Sequence, residues 1–221
     1  MKLGPYELGP NDTPENGIYI GDARLLGQEV PAGEVDLIFT DPPYDFNHIY
    51  LYEWLGKFAA RVLFSEGFLL TYVGNATKDA AMAAMRPHLD YFWDFQENMG
   101  GRATMVWDRL VVAKSKSILA YRLKGSRAKP RTAVLGSING IGKEKDGHPW
   151  QQNVETARYL IDCFVGPDAV VLDPFVGYAS TIKACQIVEN LWLAFEHDMV
   201  TVLEARQRLA PPASAGRRSE R

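Results

Sequence analysis

Apolar and polar positions alternate along the chain in two rhythms, one suited to strands and one to helices. In Val35-Asp36-Leu37-Ile38-Phe39-Thr40 an apolar run with a β-branched centre stops abruptly at Asp41-Pro42-Pro43-Tyr44. The run predicts a buried strand, whose ladder the paired prolines cannot continue. From Tyr50 to Phe64 the apolar side chains recur at Leu51, Leu55, Phe58 and Val62, the spacing of an amphipathic helix that Ser65-Glu66-Gly67 is expected to close. Phe68–Val73 predicts the next strand, and Asn75 or Thr77 caps a helix through Met85 that Pro87 ends. Three more strands are expected at 89–95, 103–107 and 117–123. Residues 124–147 lack apolar periodicity and are punctuated by Gly and Pro, which predicts a loop. A helix over Val154–Phe164, a buried strand over Ala169–Asp173, a helix from about Ala179 to Val188, a strand over Leu191–Glu196 and a helix through Leu209 follow.

At the other end, Gly17–Asp22 predicts a short strand after an irregular, Gly/Pro/Asn-rich arm at 1–16, and 210–221 read as a disordered tail. Strands alternating with helices at both ends of the chain predict an α/β fold. Its sheet is doubly wound and mainly parallel, with an antiparallel hairpin at one edge and a single domain over 17–209. The 221 residues, 47% hydrophobic, match that size. No apolar run approaches the ~20 residues of a membrane span, and the start has no signal-peptide apolar region. Cys163 and Cys185 lie in apolar helical patterns without zinc-site spacing, so free buried thiols, no metal and a cytoplasmic location are expected.

Charge changes the picture. The net charge is −3, yet between Arg102 and Lys145 eleven Lys and Arg face only Asp108 and Glu144, leaving that window at +9 and the remainder at −12. An acidic body with one basic segment suits a polyanionic partner. A lysine-rich edge that blocks strand pairing has the same composition.

Two strand ends carry candidate chemistry. Asp41-Pro42-Pro43-Tyr44 holds a carboxylate and an aromatic ring on stiff backbone, where ligands sit in open α/β sheets. In Asp173-Pro174-Phe175-Val176-Gly177-Tyr178-Ala179-Ser180-Thr181 small residues open a helix and let backbone approach a ligand closely. Glu196 ends the next strand, 19 residues beyond Gly177, near the spacing at which a carboxylate takes ribose hydroxyls. A close-packed strand–helix corner with a surface glutamate would show the same residues. The absence of a P-loop lysine excludes the usual nucleoside triphosphate site.

Asp41-Pro42-Pro43-Tyr44 followed far downstream by Asp173-Pro174-Phe175-Val176-Gly177 resembles the S-adenosylmethionine-dependent amino methyltransferases of DNA, in the motif order of their β-class. The resemblance spans Gly17 to Leu209 and implies a Rossmann-like methyltransferase fold with S-adenosylmethionine as cofactor. It makes Asp41, Pro42 and Tyr44 the catalytic residues. It assigns Asp173, Phe175, Gly177, Ala179, Ser180, Thr181 and Glu196 to the cofactor, Asp22 to its adenine, and the His-Pro segment with His148 and Gln152 to its methionine part. Three departures stand out: Ala179 replaces a second glycine, Ser180 a threonine, and Gln152-Asn153 the usual Lys-Pro, which removes a charge near the methionine carboxylate.

An Asp at position 41 resembles the adenine-N6 members, and a place in restriction–modification is implied with it. Phe46 and His48 are candidates for the rim of a base pocket. The reduced target-recognition loop, 125–147, offers Arg127, Lys129, Arg131, Lys143 and Lys145 to phosphates, which position a duplex without reading it. A second subunit is one source of the missing recognition. DNA cytosine-N4 or RNA adenine methylation is the alternative chemistry. A non-catalytic nucleic-acid-binding module is the alternative of another class.

Overall fold

The computed structural model describes residues 1–100, 103–139 and 152–209. In chain order these form β1 (Lys2–Leu3), β2 (Tyr6–Glu7), β3 (Ile18–Ile20), α1 (Ala23–Leu26), β4 (Val35–Thr40), α2 (Ile49–Val62), β5 (Leu63–Val73), α3 (Lys78–Met85) and β6 (Leu89–Asn98). There follow β7 (Thr104–Val106), β8 (Val111–Ala113), β9 (Ser115–Leu123), β10 (Ser137–Asn139), α4 (Val154–Phe164), β11 (Val170–Asp173), α5 (Ser180–Val188), β12 (Leu191–Glu196) and α6 (Met199–Leu209).

Eight strands make one sheet in the order β10-β6-β9-β5-β4-β11-β12-β3. Every neighbouring pair is parallel except the two that involve β9. The doubly wound, mainly parallel sheet is therefore as expected. Its antiparallel component is β9, set between β5 and β6, with β7 and β8 forming a separate hairpin. Central strands are apolar throughout because both their faces are covered. Leu37 and Phe39 face the layer of α4, α5 and α6, where Leu160, Ile182 and Val202 are buried. Ile38 faces the opposite layer with Leu55 of α2 and Ala81 of α3.

Three local expectations differ from what the chain does. Residues 1–16 are a packed element: Leu3, Tyr6 and Leu8 are buried, and Gly9 exchanges backbone hydrogen bonds with Trp192 at 2.9 and 3.0 Å. A Cβ at Gly9 would meet the Trp192 ring at 2.1 Å, so the glycine marks a close approach. Ser65-Glu66-Gly67 lies inside β5, at the point where its register with β4 shifts, and α2 ends earlier at Val62. The strand expected at 103–107 does form, as β7, the first arm of a hairpin. Within 124–147, β10 pairs parallel with β6 through Ile138; three residues are too few to show a period. The expected tail, 210–221, lies outside the described residues.

Candidate active site

Chain order reverses its direction across the sheet between β4 and β11, which lie side by side with Ile38 opposite Leu172. Strands β4 to β6 lead one way and β11, β12 the other, so a crevice opens at their carboxyl ends. Asp41 follows β4 and Asp173 ends β11, which sets the two carboxylates on the two sides of that crevice. Glu196 ends β12, and the Gly21 amide donates to its backbone oxygen at 2.8 Å, placing Asp22 on the same rim. The Asp22 carboxylate caps α1 through the Arg24 amide at 2.8 Å and pairs with the Arg24 guanidinium at 2.6 Å, which holds it below the usual carboxylate range.

Both oxygens of Asp41 are engaged. The Tyr44 hydroxyl donates to Oδ1 and the Gln152 amide nitrogen to Oδ2, while that nitrogen also lies 3.1 Å from the Tyr44 oxygen. Lys116 on β9 donates to the Gln152 Oε1 at 2.6 Å. This fixes the amide orientation: turned over, it would present its oxygen to a carboxylate and its NH2 to an ammonium. Lys116 thus brings a cation to the neighbourhood of Asp41, where the resemblance has a lysine at 152. Dehydration in the cavity wall pushes the Asp41 carboxyl up, with Glu97 adding to the rise; the donors Tyr44 and Gln152 and the charge of Lys116 oppose it. Burial and the adjacent carboxylate push the Tyr44 phenol far up, so it stays a donor. Tyr44 is held from behind by Thr77, whose hydroxyl donates to its backbone oxygen at 2.6 Å.

Across the crevice, Asp173 Oδ1 accepts from the Thr40 hydroxyl at 2.7 Å and from the Phe175 amide at 3.1 Å. Burial pushes its carboxyl up to about 7 against those hydrogen bonds, and Asp41 adds to the rise. The Gly177 amide donates to Glu196 Oε2 at 3.0 Å, and the His197 and Asp198 amides to Oε1 at 2.9 and 3.1 Å, so this acid organises the corner it faces. Ser180 donates to the Gln152 backbone oxygen at 3.1 Å and Thr181 to the Phe39 oxygen at 3.4 Å. Asn153, where the resemblance has proline, caps α4 by accepting from the Glu155 amide at 2.9 Å. The walls enclose a cavity of about 150 Å³ lined by Asp41, Tyr72, Gln152, Asp173, Phe175, Gly177, Ser180 and Thr181 among others.

Ala179 is buried at φ 58°, a left-handed conformation that suits glycine. Relief of ~1–2 kcal/mol of steric cost, offset by the greater freedom of unfolded glycine, predicts that Ala179→Gly stabilises the fold by roughly 0.5–1 kcal/mol. Urea unfolding of the two proteins at one pH checks it; a less stable glycine variant contradicts it.

The basic residues divide. β9 runs against its neighbours, with Ser115 level with Asn98 at the end of β6 and Leu123 level with Leu89 at its start. The chain after Leu123 therefore emerges at the rim opposite Asp41. There Ser126 donates to the Ser65 oxygen at 3.2 Å, and Arg131 donates to the Val165 oxygen at 2.8 Å, past the end of α4. Arg127, Lys129 and Arg131, expected to contact duplex phosphates, are exposed on this far rim, away from Asp41. His148, Lys143 and Lys145 lie outside the described residues. Phe46 is 61% exposed and His48 pairs with Asp45 at 2.6 Å; the structure brings neither into the cavity lining. Sequence reasoning missed Lys116 and Tyr72, which enter from β9 and β5. The one signal in the sequence was that the resemblance has a lysine at 152, where this chain has Gln.

Residues 102–206 match a family model described as DNA methylase. A curated relative, "Putative methylase YubD" of Escherichia coli (strain K12), is 27% identical over 185 residues, covering 74% of this chain and 77% of its own. Among solved structures, the M1.HpyAVI–SAM complex is 24% identical with a TM-score of 0.71, covering 88% of this chain and 98% of that one. The PvuII DNA methyltransferase (cytosine-N4-specific) is 16% identical with a TM-score of 0.77, covering 88% and 86%. At these identities the solved structures establish the Rossmann-like methyltransferase fold.

Proposed function

We propose that this chain is an S-adenosylmethionine-dependent amino methyltransferase of DNA, with the exocyclic N6 amine of adenine as acceptor. One observation carries the reading: the β4/β11 switch point sets Asp41 and the small-residue corner Asp173–Thr181 in the walls of one cavity. The match of residues 102–206 to a DNA methylase model supports it. The corner fits the cofactor. A side chain built at Gly177 would meet nothing within 4 Å, so the backbone there is open to a ligand, and the Glu196 carboxylate stands beside it. Asp22, Phe175, Gly177, Ala179, Ser180, Thr181 and Glu196 would hold the nucleoside end, with Asp173 and Gln152 towards the methionine part. When bound, S-adenosylmethionine supplies a sulfonium methyl for in-line transfer.

The amine of a base is a poor nucleophile because its lone pair is delocalised into the ring. Asp41 and the Pro42 carbonyl accept its two hydrogens and draw the nitrogen towards tetrahedral geometry, so positioning and electrostatics carry the rate. Gln152 and Tyr44 now occupy the Asp41 oxygens and must yield one to the substrate. Lys116, by keeping hold of Oε1, leaves the Gln152 nitrogen turned to the same carboxylate throughout. The target base must leave the stack to arrive here, and Tyr44 offers a ring whose stacking is worth ~1–3 kcal/mol.

Adenine is preferred because Asp stands first in Asp41-Pro42-Pro43-Tyr44. Cytosine N4 is the second reading, favoured by the likeness to a cytosine-N4-specific enzyme at a TM-score of 0.77. Labelled DNA, digested and separated into nucleosides, distinguishes them. N6-methyladenine is expected; N4-methylcytosine alone assigns the second reading, and label in RNA but not DNA removes both.

Two residue-level outcomes go with this reading. Glu196→Ala weakens S-adenosylmethionine binding ~10-fold or more by calorimetry, since charged hydrogen bonds are worth ~1.5–3 kcal/mol. Lys116→Met lowers kcat about tenfold and moves the acidic limb of the kcat profile to higher pH, because a charge that favours the ionised form of Asp41 is gone. Lys116→Arg restores both. An unmoved pH limb in Lys116→Met would show that the lysine does not act through Asp41.

A further inference from the structure

The β7–β8 hairpin has no part in the mechanism above, yet it stands at the same rim as the site. Strand β6 runs parallel to β4 and ends at Asn98, level with Ser115 where β9 begins, so β7 and β8 stand beyond the sheet on the Asp41 side. The hairpin is tied down at its base: the Met99 amide donates to the Lys114 oxygen at 2.9 Å, and Asn75 Nδ2 to the Ser115 oxygen at 3.0 Å. Arg109 ties it to the Ala76 oxygen at 2.8 Å, next to the Thr77 that holds Tyr44. The tip is therefore anchored through one short turn to the tyrosine of the proposed base pocket.

That tip is apolar and open. Trp107 is 76% and Leu110 75% exposed, with Val111 and Val112 each more than half exposed. Leu110 sits at φ 52°, a conformation disfavoured for residues with a Cβ, where glycine or asparagine would be the ordinary choice. The chain keeps a large apolar residue at a turn position that resists one. Among the described residues of the hairpin, Arg109 and Lys114 are opposed only by Asp108, which leaves it net positive on a chain of net −3. Two copies of the hairpin packed on each other would set these like charges together, whereas a polyanion neutralises them.

We propose that Trp107 and Leu110 form a wedge that enters a DNA duplex beside the target base pair and fills the space left when the base moves to Tyr44. The inference rests on the methyl-transfer reading above for its substrate. Apolar side chains inserted between base steps are a general means of unstacking a duplex, and a base already unstacked has less need of one.

The test compares native and heat-denatured unmethylated DNA as substrates for the wild-type chain and for Trp107→Ala/Leu110→Ala. The expected result is a loss of ~10-fold or more in kcat/KM on native DNA, the scale of one stacking contact, with the rate on denatured DNA within about twofold of wild type. Trp107→Phe, which keeps a ring at the tip, is expected to retain the native-DNA rate. Equal losses on both forms, or none on either, overturn the proposal. So does a change from dimer to monomer in sedimentation with native-DNA rates unaltered, which makes the hairpin a contact between copies. Should the wild type label neither form, the methyl-transfer reading fails by itself. The wedge is then judged by fluorescence anisotropy, where the double variant must lose affinity for duplex but not for single-stranded DNA.

Discussion

Asp41→Ala abolishes methyl transfer, by ~10³-fold or more, while S-adenosylmethionine still binds within about threefold of wild type. The size follows from its place. Asp41 is the carboxylate in the cavity wall whose oxygens accept from Tyr44 and Gln152, and the amine of the base needs one of those oxygens. Removing a single preorganised charge-stabilising group costs ~10²–10³ in kcat, and here the same residue also orients the nucleophile. Asp41→Asn, which keeps an acceptor but loses the charge, is expected to fall between the two. Single-turnover transfer alongside calorimetric cofactor binding separates a chemical defect from a binding defect. A parallel loss of both would place Asp41 in cofactor binding instead.

Asp173→Asn makes the ligand-free protein more stable at pH 8 and flattens its pH profile. Burial holds this carboxyl near 7 in the folded chain, against about 3.8 when unfolded. Between those values the folded state binds the extra proton, so stability falls as pH rises from about 4 towards 7 and stays low above it. About three units correspond to a cost on the order of 4 kcal/mol at pH 8, at 1.36 kcal/mol per unit. An asparagine keeps the Oδ1 that accepts from Thr40 and Phe175 without that cost. Urea unfolding at pH 5 and pH 8 is the measurement. The wild type is expected to be the more stable at pH 5, and the variant to gain over it at pH 8. A variant less stable than wild type at pH 8 would mean that burial does not penalise the Asp173 carboxylate in the fold.

Strand ends were the most legible part of the sequence. The run 35–40 stops at two prolines and the run 169–173 stops at Asp-Pro, and both became neighbouring strands whose ends meet at one crevice. The helix over Val154–Phe164 and the strand over Leu191–Glu196 could be read to the residue because apolar period and capping agree there. An antiparallel hairpin was expected among the middle strands, but which strand reverses could not be read. Nothing in Ser117–Leu123 says that β9 runs against its neighbours, yet that reversal sends Arg127, Lys129 and Arg131 to the far rim. The arm at 1–16 misled because Gly, Pro and Asn masked three apolar anchors, Leu3, Tyr6 and Leu8, whose spacing matches neither a helix nor a long strand. Lys116 was hidden for a third reason: its role depends on a contact with Gln152, 36 positions away.

On the proposed reading, Asp41–Tyr44 and the Asp173–Thr181 corner form one site that methylates a base amine. Incubating the purified chain with S-adenosyl-[methyl-³H]methionine and unmethylated duplex DNA, beside Asp41→Ala, tests it most directly. Label is expected on an exocyclic amine of the DNA from the wild type and none from the variant, with cofactor bound by both. Cofactor bound by the wild type with no label in any nucleoside would contradict it.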